Sequence, residues 1–414
     1  MMRLYSKHPK YQFLKWYRNL RKVNEYTIPH SRLPRKIFLS LISLNSLTEI
    51  NKNRTETMKN LTTLLSVLFC LSAIHSQLNA HTGKLISLDQ LFTPNAALPA
   101  LAEDKGFYGM WTLSIEGGSV GWLEVHNKAG YLDADLLWIG GSVLPVANVY
   151  FADDNTLVVT RTQEVAVSDQ GGDGRKHTIT TTLKMMREGD KLAGFMVSPN
   201  RNGMGVRTTA FTGARLPEVP KAPDLSKAKY GEPINLFNGK NLDGWKLINP
   251  RSENGFIVEN GMLVNKPVQQ EGHHVWYGNL RTEQEFEDFN LKLDVKVPSG
   301  NNSGIYLRGM YEIQVFDSYG KELDSHNMGA VYSRIKPAMA AEKPAGEWQS
   351  FDITLYDRHV TVVLNGKKII DNQPVYGPTG GAIIADVFSP GPIYLQGDHG
   401  EVAYRNIVLR PILD

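Results

Sequence analysis

The sequence predicts an all-β protein, with a C-terminal antiparallel two-sheet jelly roll preceded by a smaller antiparallel β-barrel or sandwich domain. Short stretches alternate apolar and polar residues at a spacing of about 10–12 residues, with turn signals between them. No helical periodicity of useful length interrupts them. The 37 Gly and 21 Pro among 414 residues fit a chain with many tight turns.

Within residues 81–215, eight strands are expected at Trp111–Glu116, Gly121–Val125, Tyr131–Ile139, Val143–Phe151, Thr156–Glu164, His177–Arg187, Lys191–Val197 and Gly205–Thr212. Residues 216–231 open with three prolines in Leu216–Pro223 and read as a stiff, extended linker. Residues 232–414 carry a second set, at Phe256–Glu259, Gly261–Asn265, Phe289–Val297, Gly304–Arg308, Tyr311–Phe316, Trp348–Tyr356, His359–Leu364, Ile393–Gln396 and Ala403–Leu409. Asn365-Gly366 is the two-residue signal of a tight hairpin. Parallel α/β topology would need crossover helices that this region lacks.

The formal charge of +3 hides an asymmetry. Residues 1–57 hold 12 Lys/Arg against 3 Asp/Glu, leaving 33 against 39 for the rest. An acidic body offers no cationic field to phosphates, which argues against a nucleic-acid binder. Met58-Lys59-Asn60 followed by the apolar run Leu61–Ile74 has the proportions of a secretory signal peptide, expected over 58–80. The run is short for a bilayer span, which takes about 20 residues. On that reading residues 1–57 are a basic extension upstream of the true start, and the mature chain is exported, periplasmic or at the cell surface. Cys70, the single cysteine, falls inside the apolar run, so the mature chain would hold no disulfide.

Several motifs in the second region carry chemistry. Leu236-Phe237-Asn238-Gly239-Lys240-Asn241-Leu242-Asp243-Gly244-Trp245, Asn302-Ser303-Gly304-Ile305-Tyr306-Leu307-Arg308, Tyr311-Glu312-Ile313-Gln314-Val315-Phe316-Asp317-Ser318, Gly346-Glu347-Trp348-Gln349-Ser350-Phe351 and Gly391-Pro392-Ile393-Tyr394-Leu395-Gln396 with His399-Gly400 stand in this order. In them residues 232–412 resemble the 3-keto-disaccharide hydrolase family. The resemblance implies a concanavalin-like jelly roll acting on glycosides oxidised at C3 of the sugar, supplied by a sugar 3-dehydrogenase. It says little about residues 81–215.

Side-chain alternation puts Glu312 and Gln314 on one face of their strand, with Ile313 and Val315 on the core face. Arg308 stands opposite Glu312 only if the intervening loop has the right length, because a one-residue slip turns it away. Gln396, Asp398 and His399 close a strand and enter a turn. A hydrogen-bonded structural role is the plainer reading of a lone histidine, and a cross-strand ion pair the plainer reading of Arg308 with Glu312. Tyr306, Gln396, Asp398, Trp276 and His274 are candidate substrate contacts, and Trp245 is expected in the core. His273 and His274 near carboxylates are candidate ligands for a divalent cation.

An ordinary glycosidase sets two carboxylates about the scissile bond. No paired-carboxylate run of the jelly-roll glucanase type occurs here. A C3 ketone offers a different route, because it acidifies the C2 proton. Glu312 or His399 is then the candidate base and Arg308 or Gln314 the enediolate stabiliser, with Asp317 as a further candidate. Elimination at C1 and rehydration give net hydrolysis. A non-catalytic carbohydrate-binding protein is the alternative, since jelly rolls host lectins as readily as enzymes. A β scaffold that only makes contacts is a third reading.

Overall fold

The computed structural model describes residues 106–166, 176–269 and 275–413. The expected signal peptide and basic extension lie outside the described residues. So do His273 and His274.

The first sheet is built from β1 (Gly109–Ile115), β2 (Ser119–Lys128), β3 (Tyr131–Trp138), β4 (Leu144–Pro145), β5 (Asn148–Asp153), β6 (Thr156–Ala166), β7 (Lys176–Glu188), β8 (Lys191–Pro199) and β9 (Val206–Arg215). Its order is β4-β3-β2-β1-β9-β8-β7-β6-β5, with every neighbouring pair antiparallel. The segment between β4 and β5 joins the two ends: Val146 N–H donates to Ala134 O on β3, and Ala147 N–H donates to Thr160 O on β6. The result is an up-and-down barrel. Inward-facing Trp111, Leu113, Leu123, Leu136, Leu157, Val159, Leu183, Met185 and Phe211 fill it. One predicted strand, Val143–Phe151, is broken into β4 and β5, so its residues can link both edges.

The chain then runs through a short 3-10 turn (Leu225–Lys227), β10 (Lys229–Tyr230) and β11 (Ile234–Asn235). This stretch is extended, as its prolines suggested, and it is bound to the following domain. Arg358 donates to Pro217 O and Glu218 O, Asn372 donates to Pro223 O, and β10 pairs with residues 412–413.

The remaining strands are β12 (Trp245–Leu247), β13 (Phe256–Glu259), β14 (Met262–Asn265), β15 (Leu280–Thr282), β16 (Phe289–Lys296), β17 (Asn302–Leu307), β18 (Tyr311–Phe316), β19 (Gln349–Tyr356), β20 (His359–Leu364), β21 (Lys367–Pro374), β22 (Tyr394–Leu395) and β23 (Val402–Leu413). They form one sheet of order β13-β14-β23-β16-β19-β20-β21, with β10 and β11 also on β23, and a second of order β12-β15-β22-β17-β18. Leu291, Leu293, Phe351, Ile353, Val360 and Val362 from the first pack with Leu280, Ile305, Ile313, Val315 and Leu395 from the second. This is the antiparallel jelly-roll sandwich that the alternation predicted. Asn365 and Gly366, at φ 51° and 78°, make the tight turn between β20 and β21.

Candidate functional site

The outer face of the second sheet holds the candidate site. On β17 the odd members Ile305 and Leu307 enter the core, which turns Asn302, Gly304 and Tyr306 outward. On β18 the same alternation buries Ile313 and Val315 and turns Glu312 and Gln314 outward. Tyr306 pairs in register with Glu312 on one side and with Tyr394 on the other. The rings of Tyr306 and Tyr394 stack at 3.8 Å and 12°.

A cavity of about 250 Å³ opens over this face, lined by Asn279, Asn302, Tyr306, Glu312, Tyr332, Tyr394, Gln396, Asp398 and His399 with Gly140, Gly141, Gly380 and Gly381. Glu312 is 4 % exposed. Burial pushes its carboxyl up from 4.5 to about 8, against the opposing pull of the Tyr306 hydrogen bond and of His399. Tyr306 Oη lies 2.8 Å from Glu312 Oε2 and 2.7 Å from Gly380 O. A phenol has one proton, so it satisfies one of these contacts. The hydroxyl is placed to donate either to Glu312 Oε2 or to Gly380 O. Tyr394 hands its own proton to Gly381 O at 2.6 Å.

Gly304 makes room for this carboxyl. A Cβ there would sit 2.4 Å from Glu312 Oε1. The strand sequence therefore needs glycine opposite Gln314 for Glu312 to fold across it.

His399 and Asp398 sit in the turn after β22. His399 Nδ1 meets Asp398 Oδ1 at 2.8 Å. That bond, and then the Asp398 charge, raise the imidazole above its ordinary 6.5 in spite of partial desolvation. Desolvation opposes ionisation of Asp398, but the bond from His399 and its charge bring the carboxyl below its ordinary value. The turn is pinned from beneath. Asn265 Nδ2 donates to Gly397 O and Gly400 O, Gly397 N–H donates to Asn279 Oδ1, and Ser303 Oγ donates to Gln396 O. Two cavity-lining amides, Asn302 and Gln396, carry buried carbonyl oxygens with no protein partner. Such groups suit a polyhydroxylated ligand.

The structure thus gathers Glu312, Tyr306, Gln396, Asp398 and His399, and leaves other candidates elsewhere. Leu307 pairs with Tyr311, so Arg308 occupies the first position of a three-residue loop, at φ 56°, with Tyr306 opposite Glu312. Its guanidinium turns away and donates to Ser389 O and Val387 O. Gln314 shares the outward face of Glu312 but is covered and does not line the cavity. Asp317 accepts from Ser299 Oγ and Gly300 N–H and secures the turn before β17. Trp276 is 75 % exposed and does not line the cavity. Trp245 is buried, with its indole N–H donated to Leu236 O. Among the described residues, Glu124, His126 and Asp135 bring ligand atoms within 4.8 Å of one another on β2 and β3, apart from the cavity.

Sequence reading missed Tyr394, Asn302, Asn279, Tyr332 and the paired glycines. Asn302 and Tyr394 lie inside the motifs quoted above, and alternation from Tyr306 and Gly304 would have turned Asn302 to the same face. Gly140 and Gly141 gave no such signal, because they reach the cavity from a different sheet.

Residues 232–410 match the family described as the 3-keto-alpha-glucoside-1,2-lyase-like domain. A 3-keto-disaccharide hydrolase of Bacteroides thetaiotaomicron is 25% identical over 167 residues, which are 33% of this chain and 57% of that relative. The match thus spans little more than half of the relative's length. Two solved structures of candidate glycosyl hydrolases from Parabacteroides distasonis are also similar. One is 28% identical at TM-score 0.36, covering 46% of this chain and 93% of that chain. The other is 26% identical at TM-score 0.34, covering 44% and 100%.

Proposed function

We propose, from the premise that residues 232–410 belong to the 3-keto-alpha-glucoside-1,2-lyase-like domain family, that the protein cleaves 3-keto-glycosides by elimination followed by hydration. One observation carries the reading: a buried carboxyl held near pKa 8 faces an imidazole oriented by a carboxylate. Groups whose environments set different protonation states are the usual sign of paired acid and base roles.

His399 is the base. Its Nδ1–H is directed at Asp398, which leaves Nε2 to take the proton from C2 of the oxidised sugar. The C2–H electron pair becomes an enediolate shared with the C3 oxygen. Glu312, neutral at pH 7, donates a hydrogen bond to that oxygen, the task for which a buried carboxylic acid is suited. The enediolate then re-forms the ketone and a C1–C2 double bond, and the glycosidic oxygen leaves from C1. The imidazolium returns its proton to this oxygen. Water adds at C1 and a proton at C2, so the sum is hydrolysis. Asp398 positions the base, and the Asn302 and Gln396 amides hold ring hydroxyls.

The test is to incubate the purified protein with a 3-keto-disaccharide and measure free sugar. Release is expected from the oxidised substrate and none from the unoxidised disaccharide. Equal action on both would reject the mechanism, and binding of both without release would make the protein a carbohydrate-binding module.

A further inference from the structure

The barrel has no role in the chemistry above, yet it supplies part of the cavity. Gly140 and Gly141, in the turn after β3, border the same space as Glu312, Tyr306 and His399. The barrel interior is filled with side chains, so its contribution is made by this outer turn.

The turn is held firmly. Gly381 N–H donates to Ile139 O at 2.8 Å, Val143 N–H donates to Ser333 Oγ at 3.0 Å, and Ser142 Oγ meets His326 Nε2 at 2.8 Å. Main chain lies directly on main chain: a Cβ at Gly380 would stand 2.3 Å from Gly141 O. Behind the turn, Trp122 Nε1–H donates to Tyr376 O, and the Arg334 guanidinium stacks at 4.2 Å on the Trp122 ring. Ile139 itself has φ 69°. A β-branched residue there is strained, and such strain persists only where surrounding contacts over-determine it, often at ligand clamps.

We infer that the Ile139–Val143 turn is a binding wall for the part of the substrate beyond the oxidised ring, so that the barrel sets which glycosides enter. The inference rests on the catalytic reading of the cavity. Gly141 packs on Gly380, whose carbonyl accepts from Tyr306, the partner of Glu312; the wall therefore stands beside the acid. A volume of about 250 Å³ holds a sugar ring with little to spare, below the ~300–1,000 Å³ of sites for drug-sized ligands. A chain continuing from that ring meets the barrel main chain. The favoured substrates are short 3-keto-glycosides, with interior units of a polymer excluded.

Gly140 offers a direct test, because its φ is not positive and a Cβ there meets nothing within 4 Å. In the full chain, Gly140→Trp should lower the ratio of kcat/KM for a 3-keto-disaccharide to that for 3-keto methyl glucoside at least tenfold. An unchanged ratio overturns the wall. Should Gly140→Trp lose its folded melting transition, the double variant His326→Ala/Ser333→Ala decides. By releasing two pins it should raise relative turnover of a 3-keto-trisaccharide over the disaccharide at least fivefold, and no rise overturns the proposal. If the wild type binds but turns over neither sugar, the catalytic reading fails alone. Calorimetry with the 3-keto-disaccharide then tests the wall, tenfold weaker binding by Gly140→Trp supporting it and equal binding overturning it. Absence of binding to the wild type rejects both.

Discussion

The Glu312 carboxyl is buried against Tyr306 and Gly304, and its shifted proton affinity follows from that burial. Glu312→Gln keeps the shape and removes the acidic proton. On the proposed mechanism kcat should fall at least about a hundredfold. In the wild type, kcat/KM should decline as pH rises through about 8, where Glu312 ionises, and on the acid side as His399 gains a proton. Asp398→Asn removes the group that raises His399, so the acid limb should move to lower pH; a limb that stays in place removes Asp398 from this role. The same burial has a stability consequence. A carboxyl whose folded-state pKa is raised contributes stability that is complete below about 4.5 and is lost as pH rises through about 8. Glu312→Gln should therefore gain stability over the wild type with rising pH across that window, read by urea denaturation at pH 5 and pH 8.

At the scale of strands, alternation did most of the work that sequence reading could do. It separated Glu312 from Ile313 and Val315, and the Asn365-Gly366 pair located its own turn, without any tertiary information. It failed at Arg308 for a physical reason. Face assignment across a hairpin depends on loop length, and the three-residue loop with positive φ at Arg308 and Gly309 takes the guanidinium out of the pleat altogether. Asp317 was misread because a carboxylate that caps a turn has the same sequence appearance as one that faces a substrate. Two glycines test the element-level account. Gly304→Ala places a methyl against the Glu312 carboxyl and should lower kcat at least tenfold, with a smaller effect on stability. Gly366→Ala, at φ 78°, should destabilise the β20–β21 hairpin by about 1–2 kcal/mol in urea denaturation and leave turnover alone.

For the molecule as a whole, the all-β class and the jelly roll were legible because each strand advertises its own buried face. The site was legible where it lay on one sheet. The barrel's contribution was not, since Gly140-Gly141 has no side chains to betray a role and its partner Gly380-Gly381 is remote in sequence. Long-range backbone contacts of that kind leave no periodic trace. The mechanism rests on acidity at C2 rather than on a cation at C1, and isotope exchange tests this most directly. A 3-keto-disaccharide carrying deuterium at C2 of the oxidised ring, turned over in ordinary water, should release a 3-keto sugar with hydrogen at that carbon. Full retention of the deuterium in the product would contradict the account.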